Sequence, residues 1–222
     1  MTRMRGLYPI VDLDSLESRR IAPLELAHAV LTARPHLLQL RAKHARPREV
    51  LELLQKLKPV CQRAGTLLFA NDRPDLALLA GADGVHVGQE DLPIEELRRL
   101  PGKLRVGVST HNVEQLEQAL ALRPDYVALG PIFATRSKQG ADPALGMPAL
   151  LRGAERARAA HVPLVAIGGL ELGVGDALGR AGVMAAVISD LLADGDGATA
   201  IAARAVAWQT ALDVGWTLQG DE

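Results

Sequence analysis

Residues 37–88 read LLQLRAKHARPREVLELLQKLKPVCQRAGTLLFANDRPDLALLAGADGVHVG, and this stretch decides the fold. Three short apolar runs, at residues 37–41, 67–71 and 84–88, alternate with longer segments whose apolar residues recur at helical spacing. Apolar residues follow one another directly in the first two runs, which is typical of parallel strands that are covered on both faces. The stretch therefore predicts consecutive βα units of a parallel sheet.

The same alternation extends over the rest of the chain. It predicts further strands at residues 7–11, 105–109, 126–130, 164–168 and 184–189, and helices at 23–34, 47–64, 75–80, 94–100, 113–122, 149–159, 174–180 and 198–211. Eight βα units without a linker favour an α/β fold, a single (β/α)8 TIM barrel, over a doubly wound open sheet, which usually needs fewer strands. We expect one domain over residues 1–222, with a frayed C-terminal tail from about residue 215.

The composition fits such a domain and argues against several classes of protein. Of the 222 residues, 48% are hydrophobic and 3% aromatic, and the formal net charge is −1, so no overall field favours nucleic acid or a membrane surface. Cys61 is the only cysteine, which excludes an intramolecular disulfide and a multi-cysteine zinc site. Charged residues interrupt each apolar run, and no secretory signal precedes the first strand. We expect a cytoplasmic protein that acts on small molecules, without nucleic acid or membrane partners. The sequence is compatible with a homo-oligomer but does not determine the oligomeric state.

Polar residues collect where the predicted strands end, which is the face that carries the active site of TIM barrels. A barrel with a purely structural role has no reason to place polar groups at so many strand ends of one face. They are Gln39, Arg41, Lys43, Asn71, Asp72, Gln89, Glu90, Asp91, Ser109, Thr110, His111, Thr135, Arg136, Ser137, Lys138, Gly168, Gly169 and Ser189.

Two carboxylates in this set suggest a metal site. Asp72 and Asp91 are one βα unit apart, so we expect them at matching ends of neighbouring strands. Mg²⁺ typically binds one or two protein carboxylates together with phosphate oxygens and water. Each aspartate taken alone could equally cap a helix or form a turn, but the pair beside Asn71 and Lys43 favours Mg²⁺ ligands.

Three cations in the same set suggest an anion site. Side chains alternate along a strand, so Gln39, Arg41 and Lys43 share one face. The amide suits the edge of a heterocycle and the two cations suit a diphosphate, although a solvated basic rim is the plainer interpretation. Lys138 follows the sixth strand in a loop, which argues against a Schiff-base aldolase and favours a lysine that closes on phosphate.

A phosphate pocket is predicted after the seventh and eighth strands. Gly168 and Gly169 end one strand, and Ile188 and Ser189 end the next. Backbone N–H groups in these positions commonly bind phosphate in TIM barrels. A Gly-Gly pair alone is also an ordinary turn, so the position on the strand carries this prediction.

Three further residues receive an interpretation from their positions. His86 lies within the fourth strand and is more typical of a packed, hydrogen-bonded histidine than of a catalyst. His111 lies at the rim, where it could bind an anion or cap the next helix. Cys61 lies in a helix without a base nearby and is expected to be inert.

Six segments together resemble the thiamine-phosphate synthase family. They are QLRAK (39–43), ND (71–72), GVHVGQEDL (84–92), GVSTH (107–111), GPIFATRSK (130–138) and AIGG (166–169), in matching order and spacing over most of the chain. The resemblance implies a TIM-barrel transferase that joins hydroxymethylpyrimidine diphosphate to thiazole phosphate, giving thiamine phosphate and diphosphate. In the family, diphosphate leaves first with the help of Mg²⁺, and the thiazole nitrogen captures the resulting pyrimidine-methyl cation.

The resemblance also implies a role for each site residue. Asp72 and Asp91 would bind Mg²⁺, and Arg41, Lys43, Ser109 and Lys138 would be catalytic. The residues implied to hold the pyrimidine diphosphate are Gln39, Leu40, Arg41, Ala42, Lys43, Asn71, Ser109 and Lys138, and those implied to hold the thiazole phosphate are Thr135, Arg136, Ser137, Gly168, Gly169, Ile188 and Ser189.

Other functions on the same barrel remain to be separated from this one. A thiazole tautomerase would share the thiazole-phosphate side of the site but would not need the paired aspartates or the three cations. A non-catalytic ligand-binding barrel would be expected to lack the metal carboxylates. A phosphosugar isomerase or aldolase would need a lysine or glutamate base on a strand. Because Asp72, Asp91, Arg41, Lys43 and Lys138 are all present, the synthase is favoured.

Overall fold

The computed structural model describes residues 4–135 and 142–217. Eight parallel strands form a closed barrel in sequential order, and the first strand pairs with both the second and the last. This architecture confirms the predicted TIM barrel. The strands are β1 (Leu7–Asp12), β2 (Leu37–Arg41), β3 (Leu67–Asn71), β4 (Gly84–Val87), β5 (Arg105–Thr110), β6 (Tyr126–Leu129), β7 (Leu164–Ile167) and β8 (Met184–Val187).

Helices surround the barrel at each of the predicted positions. Within the described ranges they are α1 (Leu13–Glu17), α2 (Pro23–Leu31), α3 (Pro47–Ala64), α4 (Pro74–Ala80), α5 (Ile94–Leu97), α6 (Val113–Ala121), α7 (Gly146–Ala159), α8 (Gly175–Arg180) and α9 (Ala198–Thr217), with 3-10 turns at Leu172–Val174 and Ser189–Leu192. Proline occupies the first turn of α2, α3 and α4, where its missing N–H has no partner to lose. None of these helices is long and apolar enough to span a membrane.

Several observed bounds differ from the predicted ones by one to three residues, and three differences have an evident cause or consequence. Helix α1 was not predicted, and it begins because the Asp12 carboxylate caps it, accepting from the Ser15 backbone N–H at 2.9 Å and hydroxyl at 2.7 Å. Strand β8 ends at Val187 because the chain turns into the 3-10 helix that starts at Ser189. Helix α9 extends to Thr217, beyond the predicted end at residue 211, while residues 218–222 of the predicted frayed tail lie outside the described residues.

Two apolar layers form the core, one between the strands and the helices and one inside the barrel. Strand β1 contributes Leu7 and Val11 to the outer layer and Tyr8 and Ile10 to the interior. The rings of Tyr8 and Phe69 both pack edge-on against Tyr126 inside the barrel, with centroid distances of 5.6 and 5.5 Å. These large side chains fill the interior of the barrel, and a cavity lies towards its carboxyl-terminal face.

Candidate active site

A cavity opens at the carboxyl-terminal ends of the strands, where the sequence predicts the site. The structure brings most of the predicted residues into its lining: Gln39, Arg41, Lys43, Asn71, Asp72, Asp91, Ser109, Thr135, Gly168, Gly169, Ile188 and Ser189. Ala42 and Leu40 do not line it. Leu40 is buried in the outer apolar layer and Ala42 packs against that layer, so any contact of theirs with a ligand in the cavity is through the backbone. Arg136, Ser137 and Lys138 lie outside the described residues.

The two predicted metal ligands lie next to each other at the ends of β3 and β4. Asp72 follows β3 with a left-handed backbone (φ 59°), and its N–H donates to the His86 carbonyl at 2.8 Å. The Asp91 carboxylate accepts from the Gly88 N–H at 2.7 Å, which turns the loop after β4 back over the strand end. The two carboxyl groups are close enough to share a hydrogen bond when one of them is protonated.

The electrostatics of this pair fit a divalent cation. Burial, followed by the negative charge of Asp91, raises the pKa of Asp72, and the Lys43 ammonium at 3.6 Å opposes this only in part. A cation between the carboxylates would remove the cause of the repulsion, and oxygen ligands of this type suit Mg²⁺. Within the described ranges no group of three His, Cys, Asp or Glu residues could hold a metal, so further ligands would come from substrate and water, as is usual for Mg²⁺.

The two described cations at the rim are both paired with carboxylates. The Arg41 guanidinium binds the Asp12 carboxylate, which is 2% exposed, and also lies 3.7 Å from Asp14. Lys43 is exposed and faces Asp72. Gln39, Arg41 and Lys43 do share one face, as predicted. Asp12 was not among the predicted site residues, although an aspartate at the end of a strand with a serine three residues later is a recognisable capping pattern.

A chain of hydrogen bonds crosses the floor of the cavity. Gln39 Nε2 donates to the Tyr8 hydroxyl at 2.7 Å, and the hydroxyls of Tyr8 and Tyr126 are 2.7 Å apart. His86 Nδ1 lies 2.8 Å from the Tyr126 hydroxyl, and its Nε2 lies 2.8 Å from Ser109 Oγ. His86 is therefore the packed, hydrogen-bonded residue that its position predicts.

Burial keeps the middle of this chain uncharged near neutral pH. It raises the pKa of Tyr8 and that of Tyr126 well above the usual value for a phenol. It lowers the pKa of His86 to about 4, and the negative charge of Asp91 offsets this only in part. The two phenols thus stay protonated and the imidazole stays neutral.

His111 anchors two loops at the rim. Its Nδ1 lies 2.9 Å from the Gly130 carbonyl oxygen and 3.5 Å from the Asp142 carboxylate. Helix α6 is capped by Asn112, whose side chain accepts from the Gln115 N–H, so the side chain of His111 is not the cap. The capping interpretation is therefore wrong, and the binding of an anion by His111, which lines the cavity, stays a prediction.

The loop after β7 depends on two glycines. Gly168 and Gly169 have positive φ angles of 95° and 62°. A Cβ atom at Gly168 would lie 2.6 Å from the Pro131 Cα, and one at Gly169 would lie 2.4 Å from the Ala134 carbonyl oxygen. Only glycine permits this conformation beside the loop after β6, and Gly168, Gly169 and Thr135 therefore line one cavity.

The loop after β8 is held from below by the C-terminal helix. Asp190 follows Ser189 and is buried, and it accepts hydrogen bonds from Arg204 Nη2 at 2.8 Å and Trp208 Nε1 at 2.6 Å. Both partners lie on α9. The position of Ile188 and Ser189 in the cavity wall is therefore fixed by residues remote from it in sequence.

The described lining offers polar, cationic and carboxylate groups, and its only lysine, Lys43, follows a strand rather than lying on one. This arrangement does not fit a Schiff-base aldolase. It can bind a metal and an anion on the β2–β4 side and a second ligand on the β6–β8 side. Two substrates held side by side in this way suit a transfer between them.

Comparisons with known proteins agree with this geometry. A family model described as thiamine monophosphate synthase matches residues 7–191. The thiamine-phosphate synthase of Anaeromyxobacter dehalogenans is 40% identical over 219 residues, which cover 98% of this chain and 92% of that protein. The thiamine-phosphate synthase of Roseiflexus sp. (strain RS-1) is 38% identical over 209 residues, covering 93% of this chain and 86% of the relative.

Solved structures show the same relationship. The thiamine phosphate pyrophosphorylase from Pyrococcus furiosus has a TM-score of 0.81 at 28% sequence identity, with coverage of 96% of this chain and 98% of that chain. A 3-hexulose-6-phosphate synthase has a TM-score of 0.65 at 19% identity, covering 93% of this chain and 99% of that chain, and shows the fold alone. By its sequence and by the site that its barrel builds, this chain belongs to the thiamine monophosphate synthase family of enzymes.

Proposed function

We propose that this enzyme displaces diphosphate from hydroxymethylpyrimidine diphosphate and joins the pyrimidine to thiazole phosphate, giving thiamine phosphate, with Mg²⁺ held by Asp72 and Asp91. The observation that carries the proposal is the pair of adjacent carboxylates that faces the same cavity as Gln39, Arg41 and Lys43. A cytoplasmic location and freely diffusing small-molecule substrates belong to the same proposal.

The charge balance of the cavity supports the need for a metal. In the described part of the lining, the carboxylates of Asp72, Asp91 and Asp142 outnumber the cations Arg41 and Lys43. Arg41 is in addition neutralised by Asp12. Beside Asp72 and Asp91 this surface would repel a diphosphate, and bound Mg²⁺ would supply the positive charge there that stabilises the leaving anion.

The protein's own residues position both substrates. Arg41 and Lys43 bind and orient the diphosphate, and Lys138, outside the described residues, is proposed to close on it. Asn71, Gln39 and Ser109 hold the pyrimidine, while apolar side chains of the interior, including Ile10 and Val165, keep water from the cationic carbon. The thiazole phosphate is assigned to Thr135, Arg136, Ser137, Gly168, Gly169, Ile188 and Ser189.

The displacement needs no protein nucleophile. Loss of diphosphate leaves a pyrimidine-methyl cation, and the lone pair of the thiazole nitrogen forms the new C–N bond. The enzyme contributes by holding the nitrogen against the carbon and by stabilising the departing charge. A thiazole tautomerase or a non-catalytic thiazole-phosphate-binding barrel is the alternative, and it gives no reason for the paired carboxylates.

The proposal is tested by incubating the protein with both substrates and Mg²⁺ and measuring thiamine phosphate and diphosphate. We expect Asp91→Asn, and likewise Asp91→Ala, to lower kcat/KM on the order of a hundredfold and to raise the Mg²⁺ concentration required, because a ligand of the ion is lost. Glu90→Gln is the matched control, since this neighbouring carboxylate is exposed and does not line the cavity.

Two results would contradict the proposal in different ways. Full activity of Asp91→Asn at an unchanged Mg²⁺ requirement would show that the metal is not bound there. Isomerisation of a thiazole carboxylate phosphate, without formation of thiamine phosphate, would instead identify a tautomerase.

A further inference from the structure

The hydrogen-bonded chain in the barrel interior joins two groups that face the cavity. It runs from Gln39 on β2 through Tyr8 on β1, Tyr126 on β6 and His86 on β4 to Ser109 on β5. Gln39 and Ser109, the two ends of the chain, line the cavity, as do the buried Tyr8 and His86, whereas the buried Tyr126 does not. The chain therefore links the cavity-lining residues of β2 and β5 through a phenol that lies below the cavity.

The fold makes room for this chain at a specific glycine. Gly107 on β5 lies between His86 and Tyr126 in the sheet register. A Cβ atom at Gly107 would lie 2.0 Å from Tyr126 Cζ and 2.3 Å from its hydroxyl oxygen. Since any side chain at this position would occupy the space of the phenol, the contact between Tyr126 and His86 depends on glycine at the intervening strand.

The buried protons allow only two arrangements of the chain. Each phenol has one proton, and a neutral imidazole has one N–H and one bare nitrogen. When Gln39 donates to Tyr8, each middle proton can be in a hydrogen bond only if donation runs on through Tyr126 and His86 to Ser109. The Ser109 hydroxyl then donates outwards, and Gln39 presents its carbonyl oxygen.

The second arrangement reverses every step. If the Gln39 amide turns so that its oxygen accepts from Tyr8, then Tyr126 donates to Tyr8, His86 to Tyr126 and Ser109 to His86. Gln39 then presents its amide N–H₂, and Ser109 presents an acceptor. The Ser109 proton is thus available to a ligand only in the first arrangement, in which Gln39 turns its carbonyl oxygen rather than its amide N–H₂ away from Tyr8, and any mixed arrangement leaves a buried proton or lone pair without its partner.

We propose that this chain fixes opposite hydrogen-bonding characters at Gln39 and Ser109 and so selects a heterocycle with one donor and one acceptor. The inference rests on the proposed function, in which these two residues hold the pyrimidine. An aminopyrimidine fits the rule, because its amino group donates and its ring nitrogen accepts. Tyr126 touches neither the cavity nor the reacting atoms, so it is a positioning residue that acts through Ser109 and Gln39.

The test compares two analogues of the pyrimidine diphosphate of matched size. In one the amino group is replaced by methylamino, which keeps a donor, and in the other by methoxy, which offers only acceptors. Their Kd values are measured by calorimetry with Mg²⁺ and without thiazole phosphate. We expect the native enzyme to bind the methylamino analogue on the order of tenfold more tightly, because the methoxy analogue leaves one end of the chain unmatched.

Tyr126→Phe removes the central link while keeping the ring. Gln39 and Ser109 can then donate or accept independently of each other. The ratio of the Kd of the methoxy analogue to that of the methylamino analogue should therefore fall severalfold, towards a value of one. Met184→Leu is the control, because Met184 is buried in the same interior cluster and does not line the cavity. Met184→Leu should keep the native preference. If the preference depended only on tight packing of the interior, Met184→Leu would lose it as well.

An unchanged preference in folded Tyr126→Phe would overturn the inference, as would equal binding of both analogues by the native enzyme. If Tyr126→Phe does not fold, Tyr8→Phe interrupts the next link and must relax the same preference. Failure of the native enzyme to make thiamine phosphate would remove the proposed function and this inference with it. Formation of thiamine phosphate together with equal binding would remove the inference alone.

Discussion

Asp72 adopts a backbone conformation that few residues other than glycine tolerate. Its φ of 59° costs on the order of 1 kcal/mol for a residue with a side chain, although aspartate and asparagine meet this cost more often than others. The carboxyl group of this residue lies within hydrogen-bonding reach of Asp91. A strained backbone beside two carboxylates that repel each other lowers the stability of the fold, and such strain is typical of functional sites.

Burial also sets the chemistry of Cys61, whose thiol is fully buried on α3. Burial, and then the charge of Asp83, raises the pKa of this thiol from 9.0 to about 12. At a pH between these two pKa values, the unfolded chain loses the thiol proton and the folded chain keeps it. The corresponding stability is therefore complete below pH 9 and is lost as the pH rises towards 12, by about 1 kcal/mol at pH 10.

This pH dependence is measured by urea unfolding at pH 8 and pH 10 for the native protein and Cys61→Ala. The native protein should lose about 1 kcal/mol more between the two pH values than the variant, which has no thiol to titrate. Equal losses would contradict the raised pKa.

The site residues that the sequence predicts are those whose position follows from a strand. Asp72, Asp91 and Ser109 lie at strand ends, and alternation along β2 places Gln39 and Arg41 on one face. The partners of these residues could not be predicted in the same way. Asp12 binds Arg41 because the register of β1 against β2 places them side by side, and Tyr8 meets Tyr126 on β6, 118 residues further along the chain, so only the folded barrel shows these contacts.

At the scale of elements, α8 and α9 pack with their backbones in contact. A Cβ atom at Gly179 would lie 2.2 Å from the Leu212 carbonyl oxygen, and one at Gly215 would lie 2.3 Å from the Asp176 carbonyl oxygen. Gly175 and Gly179 are one helical turn apart on the face of α8 that meets α9. This close approach seats α9 where Arg204 and Trp208 can reach Asp190 beneath the loop after β8.

Gly179→Ala should lower the free energy of unfolding by about 2 kcal/mol, because neither backbone can move away without separating the helices. Gly173→Ala is the matched control, since a Cβ atom at Gly173 would have no neighbour within 4 Å. Urea denaturation measures both variants. Equal stability of the two would show that the helices are not in backbone contact.

Helices and strands were predictable to the extent that they are long enough to show a period. Helix α3 was predicted with both ends correct, because eighteen residues repeat an apolar face and Gly65 ends the helix in a left-handed conformation. Helix α1 has five residues and the turn at Ser189–Leu192 has four, so neither repeats a face. The end of α9 was misplaced because Gly215 and Gly179 act together, and only the packed structure shows this.

For the molecule as a whole, the proposed metal site would link the binding of Mg²⁺ to the free energy of unfolding. Mg²⁺ that binds only the folded barrel stabilises it by about 2.7 kcal/mol at one hundred times its Kd. The two proposed ligands follow different strands, β3 and β4, so the ion would tie together neighbouring parts of the barrel.

Thermal unfolding with and without Mg²⁺ measures this link. The native protein and Glu90→Gln should gain about 5 °C in Tm at saturating Mg²⁺, and Asp91→Asn should gain little. A gain of the same size in Asp91→Asn would place the ion elsewhere, independently of any assay of activity.

Closure of the sheet has a consequence for biosynthesis. Strand β1 leaves the ribosome first, yet one of its two neighbours is β8, with Leu7 opposite Ala185 and Pro9 opposite Val187. Until residues 184–187 have been translated, the nascent polypeptide exposes a strand edge that its own chain cannot cover. Such an edge invites association with other chains, so we expect incomplete chains of this protein to associate more readily than those of a protein that folds segment by segment.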